Sequence, residues 1–152
     1  MVYFVIGFVL FAMDFLTKFL AKMHLSKTGS ISLIEGVFNL TYVENTGAAF
    51  GMMQGRRLFF IAVALVFLVV AVVILVRYRF RPHLLKLGIT FMLSGAFGNT
   101  LDRIANGYVI DFLDFALINF PVFNIADIFV CLGAGLMAIF FVFQEDKWRE
   151  EK

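Results

Sequence analysis

The sequence predicts an all-α membrane protein with four transmembrane helices and a small β-structured segment at the membrane surface. The 152-residue chain is 62% hydrophobic and only 16% charged, so it has more apolar surface than one small water-soluble core can hide. Four apolar runs each approach the roughly 20 residues that a helix needs to cross a hydrocarbon layer about 30 Å thick. We expect residues 1–152 to form a single integral membrane domain.

The first crossing is expected at residues 2–21, which are apolar except at Asp14 and Lys18. No basic residue precedes this run and no clear small-residue cleavage site closes it, so we expect the segment to be retained and not removed as a signal peptide. Asp14 and Lys18 are four residues apart on one helical face. They can simply neutralise each other or face a polar cavity, and the sequence leaves both readings open.

Residues 26–55 form a mixed stretch with several glycines. Alternation and β-branched residues at 30–34 and 37–43 predict a small sheet at the membrane surface. The second crossing is expected at residues 58–76, the clearest apolar run. The third is expected at 87–103, with polar residues at its far end, and the fourth at 125–143.

The basic residues beside the crossings predict the orientation, because they prefer the cytoplasm. Four of them lie between the second and third crossings: Arg77, Arg79, Arg81 and Lys86. Placing this loop inside puts both termini in the cytoplasm, and the C-terminal basic residues agree: Lys147, Arg149 and Lys152. Arg56 and Arg57 fall on the outer side and argue mildly against this orientation.

Composition also limits the kinds of partner and active-site chemistry that the sequence can support. The net charge is +2 and no basic stripe is interleaved with aromatics, so nucleic acid is not an expected partner. Cys131 has no second cysteine for a disulfide, and His24 and His83 lack ligand-spaced companions, so no metal site is predicted. The chemistry is expected to come from carboxylates, hydroxyls or amides.

Ionisable groups inside membrane segments cost several kcal/mol, so each one needs an explanation. Asn99, Asp102 and Arg103 share one helical face at the far end of the third crossing. An interfacial Asp–Arg pair supported by an amide is one structural explanation for them.

Asp111 and Asp127 fall in the same outer region, with apolar residues on either side. Asn124 is placed to cap the fourth helix, and Asp127 would lie in the first turn of that helix. Helix capping alone can therefore explain Asn124 and Asp127. Two carboxylates close together in an apolar site, however, share one proton. The ionised carboxyl can then activate a water molecule while the protonated one stabilises the oxyanion, as peptide hydrolysis requires.

Four motifs stand in order along the chain: Asn45-Thr46-Gly47-Ala48-Ala49-Phe50-Gly51, Gly98-Asn99-Thr100-Leu101-Asp102-Arg103, Val109-Ile110-Asp111-Phe112 and Phe123-Asn124-Ile125-Ala126-Asp127. With Asp14 and Lys18 in the first crossing, the chain resembles the bacterial lipoprotein signal peptidases, the signal peptidase II family. The resemblance implies four transmembrane helices with an outer-face β-cradle and a short outer-face helix over the site. It also implies a bacterial inner-membrane enzyme whose active site lies near the outer face.

The resemblance further implies substrates and roles. Such enzymes remove signal peptides from prolipoproteins by cutting just before a diacylglyceryl-modified cysteine, without a cofactor, so lipid-modified substrates and membrane lipids are the expected partners. Asp111 and Asp127 match the catalytic pair of the family. Other matching positions are expected to support the site or bind substrate: Asp14, Lys18, Asn45, Asn99, Asp102, Arg103 and Asn124. Arg103 can meet a lipid phosphate or anchor Asp102.

Two other function classes compete with a protease. In a small transporter or channel, Asp14, Lys18, Asp102 and Asp127 would form an ion or proton path. The acids collect at one end of the crossings, which argues against a continuous path. In a non-catalytic membrane adaptor, the two aspartates would be replaceable by asparagine at little cost. The sequence predicts no oligomeric state.

Overall fold

The computed structural model describes residues 1–48, 52–77 and 82–143. It contains four long helices, α1 (Val2–Leu25), α2 (Arg57–Arg77), α3 (His83–Ala105) and α4 (Ile125–Phe143). Each is long and apolar enough to cross a membrane, which confirms the predicted four helices. Several residues used above lie outside the described ones: Ala49, Phe50, Gly51, Arg79, Arg81, Lys147, Arg149 and Lys152.

The helices extend beyond the apolar runs. The first ends at Leu25, not near residue 21, and the third spans His83–Ala105 where residues 87–103 were expected. Backbone hydrogen bonding continues past the point at which the side chains become polar, so an apolar run underestimates a helix that emerges from the hydrocarbon layer. At one such end, Arg57 Nη2 donates to the carbonyl of Ile104 at 2.8 Å, and this bond joins the start of α2 to the end of α3.

Glycines let α3 and α4 pack closely. A Cβ atom added at Gly133 would lie 2.5 Å from the Gly88 carbonyl oxygen and 2.7 Å from the Met92 nitrogen. A Cβ atom at Gly95 would overlap the carbonyl of Ala126. Small residues at a membrane-helix interface allow this kind of backbone approach. The contact holds the first turn of α4 against the polar half of α3.

Three antiparallel strands form one sheet in the order β1 (Ser30–Ile34), β2 (Phe38–Asn45) and β3 (Val109–Asp114). The first strand is where the pattern predicts it, and the second is shifted toward its C-terminal end. The third strand was not predicted, because the connection 102–124 was placed on the outer face without any strand assigned to it. A strand of six residues whose partner is some 70 positions earlier leaves little local signal. The predicted combination of four helices with a small sheet is therefore confirmed, and the sheet has one strand more than the pattern indicated.

The third strand pairs Val43 with Asp111 and Asn45 with Val109, so it places Asp111 beside the end of β2. A three-residue 3-10 helix, Ala116–Ile118, follows β3. Within β3, the half-buried Asp114 accepts a hydrogen bond from Thr41 Oγ1 at 2.8 Å.

A small apolar core anchors the sheet to the end of the first helix. Ala21 and Leu25 of α1 are buried with Ile110 and Phe112 of β3. These two strand residues flank Asp111, whose side chain points to the opposite face of the sheet. A second core, with Leu85, Ile89 and Phe140 at its centre, lies toward the other end of the bundle. The sheet thus lies at the end where α1 and α3 finish and α2 and α4 begin.

Candidate active site

Asp111 is buried on β3, and both of its carboxylate oxygens accept hydrogen bonds from amides. Asn124 Nδ2 donates to Oδ1 at 2.6 Å and Asn45 Nδ2 donates to Oδ2 at 2.8 Å. Burial raises the pKa of the Asp111 carboxyl from its ordinary 3.8 to about 6; the two amides oppose this rise and the charge of Asp127 adds to it. The site therefore disfavours a charge on Asp111 more than water does.

Asp127 lies in the first turn of α4, where Asn124 forms a reciprocal cap with it. The Asp127 nitrogen donates to Asn124 Oδ1 at 3.0 Å, and the Asn124 nitrogen donates to Asp127 Oδ2 at 3.1 Å. This confirms the predicted cap. The remaining oxygen, Oδ1, accepts from Asn99 Nδ2 at 2.8 Å. Capping accordingly occupies only one oxygen of Asp127, and an amide from another helix holds the second.

Asn124 joins the two carboxyl groups. Its side chain is fully buried, and its Nδ2 group donates to Asp111 and also to Asn99 Oδ1, at 3.1 Å. One amide thus contacts Asp111 directly and Asp127 through the cap. The sequence predicted the cap, but not that the same side chain would reach Asp111.

Behind these amides lies a buried ion-pair network centred on Lys18. Its ammonium contacts Asp14 Oδ2 and Asp102 Oδ2, both at 2.9 Å, and Asn99 Oδ1 at 2.8 Å. Asp14 Oδ1 accepts from the Ala126 nitrogen at 3.0 Å. The Asp14–Lys18 pair is therefore not an isolated neutral pair but part of a larger buried network.

The Asp102–Arg103 pair, one of the structural explanations that the sequence left open, is not the ion pair that Asp102 forms in the described structure. Within the described residues Asp102 pairs with Lys18, because consecutive residues on a helix point in directions about 100° apart and the lysine approaches from α1. Arg103 instead donates through Nη2 to the Gly47 carbonyl at 2.8 Å and through Nη1 to the Asn99 carbonyl at 3.3 Å. Its guanidinium also lies over the Phe60 ring, 4.9 Å from the centroid. Arg103 thus ties the loop after β2 to α3.

The two aspartates line one cavity of about 680 Å³. The polar part of its lining also includes Asn45, Asn99 and Arg103. Most of the apolar lining forms a wall from the segment before α4 and from α4 itself: Phe120, Pro121, Val122, Phe123, Ile128, Val130, Cys131 and Leu132. Cys131 is exposed and belongs to this wall.

Comparison with known proteins identifies the family. The sequence profile described as "Signal peptidase (SPase) II" matches residues 6–143. The chain belongs to the signal peptidase II family. It is 43% identical over 137 residues to the lipoprotein signal peptidase of Brevibacillus brevis, covering 90% of this chain and 92% of that one. It is 41% identical over 150 residues to the lipoprotein signal peptidase of Clostridioides difficile, covering 98% of this chain and 100% of that one.

Solved structures agree with this membership. One bacterial membrane enzyme, determined by the in meso method at 2.3 Å resolution, is similar with a TM-score of 0.84 and 28% identity, covering 99% of this chain and 93% of that one. Another, at 1.9 Å resolution, has a TM-score of 0.83 and 27% identity, covering 95% and 94% of the two chains. The four helices and the three-stranded sheet of this family member are therefore similar to the fold of a bacterial membrane enzyme.

In this family member, hydrogen bonds and ion pairs connect all the residues that the sequence singled out: Asp14, Lys18, Asn45, Asn99, Asp102, Arg103, Asp111, Asn124 and Asp127. Sequence reasoning missed the Ala126 nitrogen, Phe60 and the apolar wall. A backbone donor has no residue signature, and ordinary apolar residues in a chain this hydrophobic carry no distinguishing signal.

Proposed function

We propose that the protein is an intramembrane aspartyl endopeptidase that removes signal peptides from diacylglyceryl-modified prolipoproteins, cutting just before the modified cysteine. The observation that carries the proposal is that Asp111 and Asp127 line one cavity and are bridged by Asn124. Membership of the signal peptidase II family supports protease activity. Relatives named lipoprotein signal peptidase support the substrate class.

The chemistry follows from two carboxyl groups that share a proton. The ionised carboxyl takes a proton from a water molecule, whose oxygen attacks the scissile carbonyl carbon. The protonated carboxyl donates a hydrogen bond to the carbonyl oxygen as negative charge develops on it. Collapse of the tetrahedral intermediate breaks the C–N bond, and the leaving amine receives a proton from the pair. Asn45, Asn99 and Asn124 hold both carboxyls while charge moves between them.

The cavity suits a substrate that is part peptide and part lipid. Its polar side presents the carboxyls, the amides and Arg103, whereas the wall that includes Phe120, Ile128 and Leu132 is apolar. Leu132 is also exposed on α4, toward the hydrocarbon layer. A peptide bond can thus lie against the aspartates while acyl chains stay beside α4 in an apolar environment.

We further propose that the end of the bundle that bears the sheet faces away from the cytoplasm. Arg77 is the last residue of α2 and Lys86 lies in the first turn of α3, so both are at the opposite end of the bundle, where positive residues prefer the cytoplasmic side. Both termini then lie in the cytoplasm of a bacterial inner membrane. The aspartates lie near the outer face, at the level where translocated prolipoproteins emerge.

Cleavage by the purified protein in detergent tests the proposal. A diacylglyceryl-modified prolipoprotein is incubated with wild type, Asp111→Asn and Asp127→Asn, and product is identified by mass spectrometry. We expect cleavage before the modified cysteine, with a loss of about a thousandfold or more in each variant because neither amide can exchange a proton. Asp114→Asn is the matched control, since Asp114 is on the same strand but bonds to Thr41 and does not line the cavity.

Three results would count against the dyad. Wild type could fail to cleave, either variant could retain substantial activity while folded, or Asp114→Asn could lose as much activity as the other two. Ion flux through wild type in sealed vesicles, with no proteolysis, would favour the transporter reading.

A further inference from the structure

The orientation of each amide in the site is set by a neighbour that can only donate. Asn45 Oδ1 accepts from the Gly47 nitrogen at 2.9 Å, so Asn45 Nδ2 must face Asp111. Asn124 Oδ1 accepts from the Asp127 nitrogen at 3.0 Å, so its Nδ2 group must face Asp111 as well. Backbone N–H groups have no acceptor capacity, and these two orientations therefore follow from the main chain alone.

Asn99 differs, because a side chain and not the main chain sets its orientation. Asn99 Oδ1 accepts from Lys18 Nζ at 2.8 Å and, at a longer 3.1 Å, from Asn124 Nδ2. The shorter contact of that Asn124 group is to Asp111, at 2.6 Å. The ammonium is thus the closer donor, and it is charged. With Oδ1 held in this way, Asn99 Nδ2 points at Asp127 Oδ1, at 2.8 Å.

Lys18 is itself held in one geometry. Its three N–H groups match three acceptors: Asp14 Oδ2, Asp102 Oδ2 and Asn99 Oδ1. The side chain is 3% exposed and is not among the cavity-lining residues in the described part of the chain. It therefore cannot touch a substrate in the cavity, and any effect that it has on the reaction must pass through a neighbour.

We propose that Lys18 is a positioning residue that orients and polarises the Asn99 amide, so that Asn99 donates to Asp127. This inference rests on the proposed protease function. An amide whose oxygen accepts from a cation is a stronger donor at its nitrogen, because hydrogen bonds in a chain polarise one another. Without the ammonium, only the longer contact from Asn124 Nδ2, at 3.1 Å, opposes a rotation that would bring Asn99 Oδ1 to face Asp127 Oδ1 and replace the donor by a repulsive acceptor.

The arrangement also explains why a costly charge cluster is buried. Asp14 and Asp102 supply the counter-charge that lets an ammonium lie 2.8 Å from a neutral amide inside the helix bundle. Asp14 additionally binds the Ala126 nitrogen, next to Asp127. The cluster thus connects α1 to Asp127 by two routes, one through Asn99 and one through the backbone of α4.

A double-mutant cycle tests the proposal with wild type, Lys18→Met, Asn99→Leu and the double variant, assayed on the lipid-modified prolipoprotein. We expect Lys18→Met to lower kcat by about 10- to 100-fold, as loss of one oriented donor does, with little change in KM. Because Lys18 acts through Asn99, the double variant should be within about threefold of Asn99→Leu alone. The proposal would be overturned if the kcat loss of the double variant equalled the product of the two single losses. It would also be overturned if Lys18→Met kept a kcat near that of wild type.

A matched control separates positioning from general support. Ser94 also joins α1 to α3, donating to the Gly7 carbonyl at 3.1 Å, but it does not contact Asn99 in the described structure. Ser94→Ala combined with Asn99→Leu should give effects that simply multiply. If this pair shows the same non-additivity as the Lys18 pair, the coupling comes from α1–α3 packing and the proposal is wrong.

Removing the ammonium leaves the buried Asp14 and the partly buried Asp102 without their cation, so Lys18→Met can fail to fold. Asn99→Asp then decides the matter, because it keeps an acceptor for Lys18 but cannot donate to Asp127. A folded, inactive Asn99→Asp protein supports the proposal, and an active one overturns it. Wild-type cleavage in the same assay keeps the two hypotheses apart, since an inactive wild type refutes the protease itself.

Discussion

The stability of the protein should fall as the pH rises through the titration of Asp111. Burial raises the pKa of this carboxyl from 3.8 to about 6, and the side chain is only 2% exposed. A group whose pKa is higher in the folded than in the unfolded state binds more protons when folded. Its contribution to stability is thus fully present below about pH 4 and is lost as the pH rises through about 6.

The magnitude follows from the two pKa values. The difference between 3.8 and about 6 corresponds to roughly 3 kcal/mol of unfolding free energy, at about 1.4 kcal/mol for each pKa unit. For a chain of this length, that is a change in Tm of about 6–12 °C between pH 4 and pH 7. Other carboxyl groups titrate in the same range, so the quantity of interest is a difference between variants.

The assay is thermal unfolding in detergent from pH 4 to pH 8, for wild type and Asp111→Asn. The asparagine presents an NH2 group to the donors Asn45 and Asn124, which lowers stability by an amount that does not depend on pH. The unfolding free energy of each protein is then plotted against pH. The wild-type value minus the variant value should fall by roughly 3 kcal/mol between pH 4 and pH 8. Asp127→Asn removes a charge that raises the pKa of Asp111, so it should move the midpoint to lower pH. A flat difference curve would refute the reasoning.

Two further predictions concern packing and the cap. Gly133→Ala places a Cβ atom 2.5 Å from the Gly88 carbonyl oxygen and should lower stability by about 1–3 kcal/mol, measured by thermal unfolding in detergent. A Cβ atom at Gly135 has no neighbour within 4 Å, so Gly135→Ala is the control and should be neutral or stabilising. Equal losses in the two variants would contradict the packing argument. Asn124→Ala removes the cap and the bridge between the aspartates, and should cost about 1 kcal/mol of stability and about 100-fold in kcat. A kcat near wild type in folded Asn124→Ala would show that the bridge is not needed.

The four helices could be predicted because a membrane helix depends on a continuous stretch of local sequence. An apolar run of sufficient length identifies it, and the structure moves its ends by only a few residues. The first strand was also predictable, from alternation over five residues, Ser30–Ile34. The third was not, because Val109–Asp114 becomes a strand by pairing with β2, far away in the chain. Its four buried residues also show no alternation of burial.

In the candidate site, too, contacts between residues close in sequence could be predicted and contacts between different elements could not. The cap between Asn124 and Asp127 was predictable, since it joins residues three positions apart. The bond from Asn124 to Asp111 and the pairing of Lys18 with Asp102 were not, because each joins different elements. An Asp102–Arg103 pair was one explanation that proximity in sequence suggested, whereas the approach of α1 supplied Lys18 as the partner of Asp102.

The sequence by itself determined that the protein lies in a membrane, where its four helices run, and which ionisable residues need an explanation. Those properties depend on composition, run length and the cost of a charge in hydrocarbon, which can all be counted along the chain. Only the tertiary structure decided which polar groups meet. Hydrogen bonds act over about 3 Å, and whether Lys18 lies within that distance of Asn99 depends on how α1 packs against α3, which no local pattern encodes.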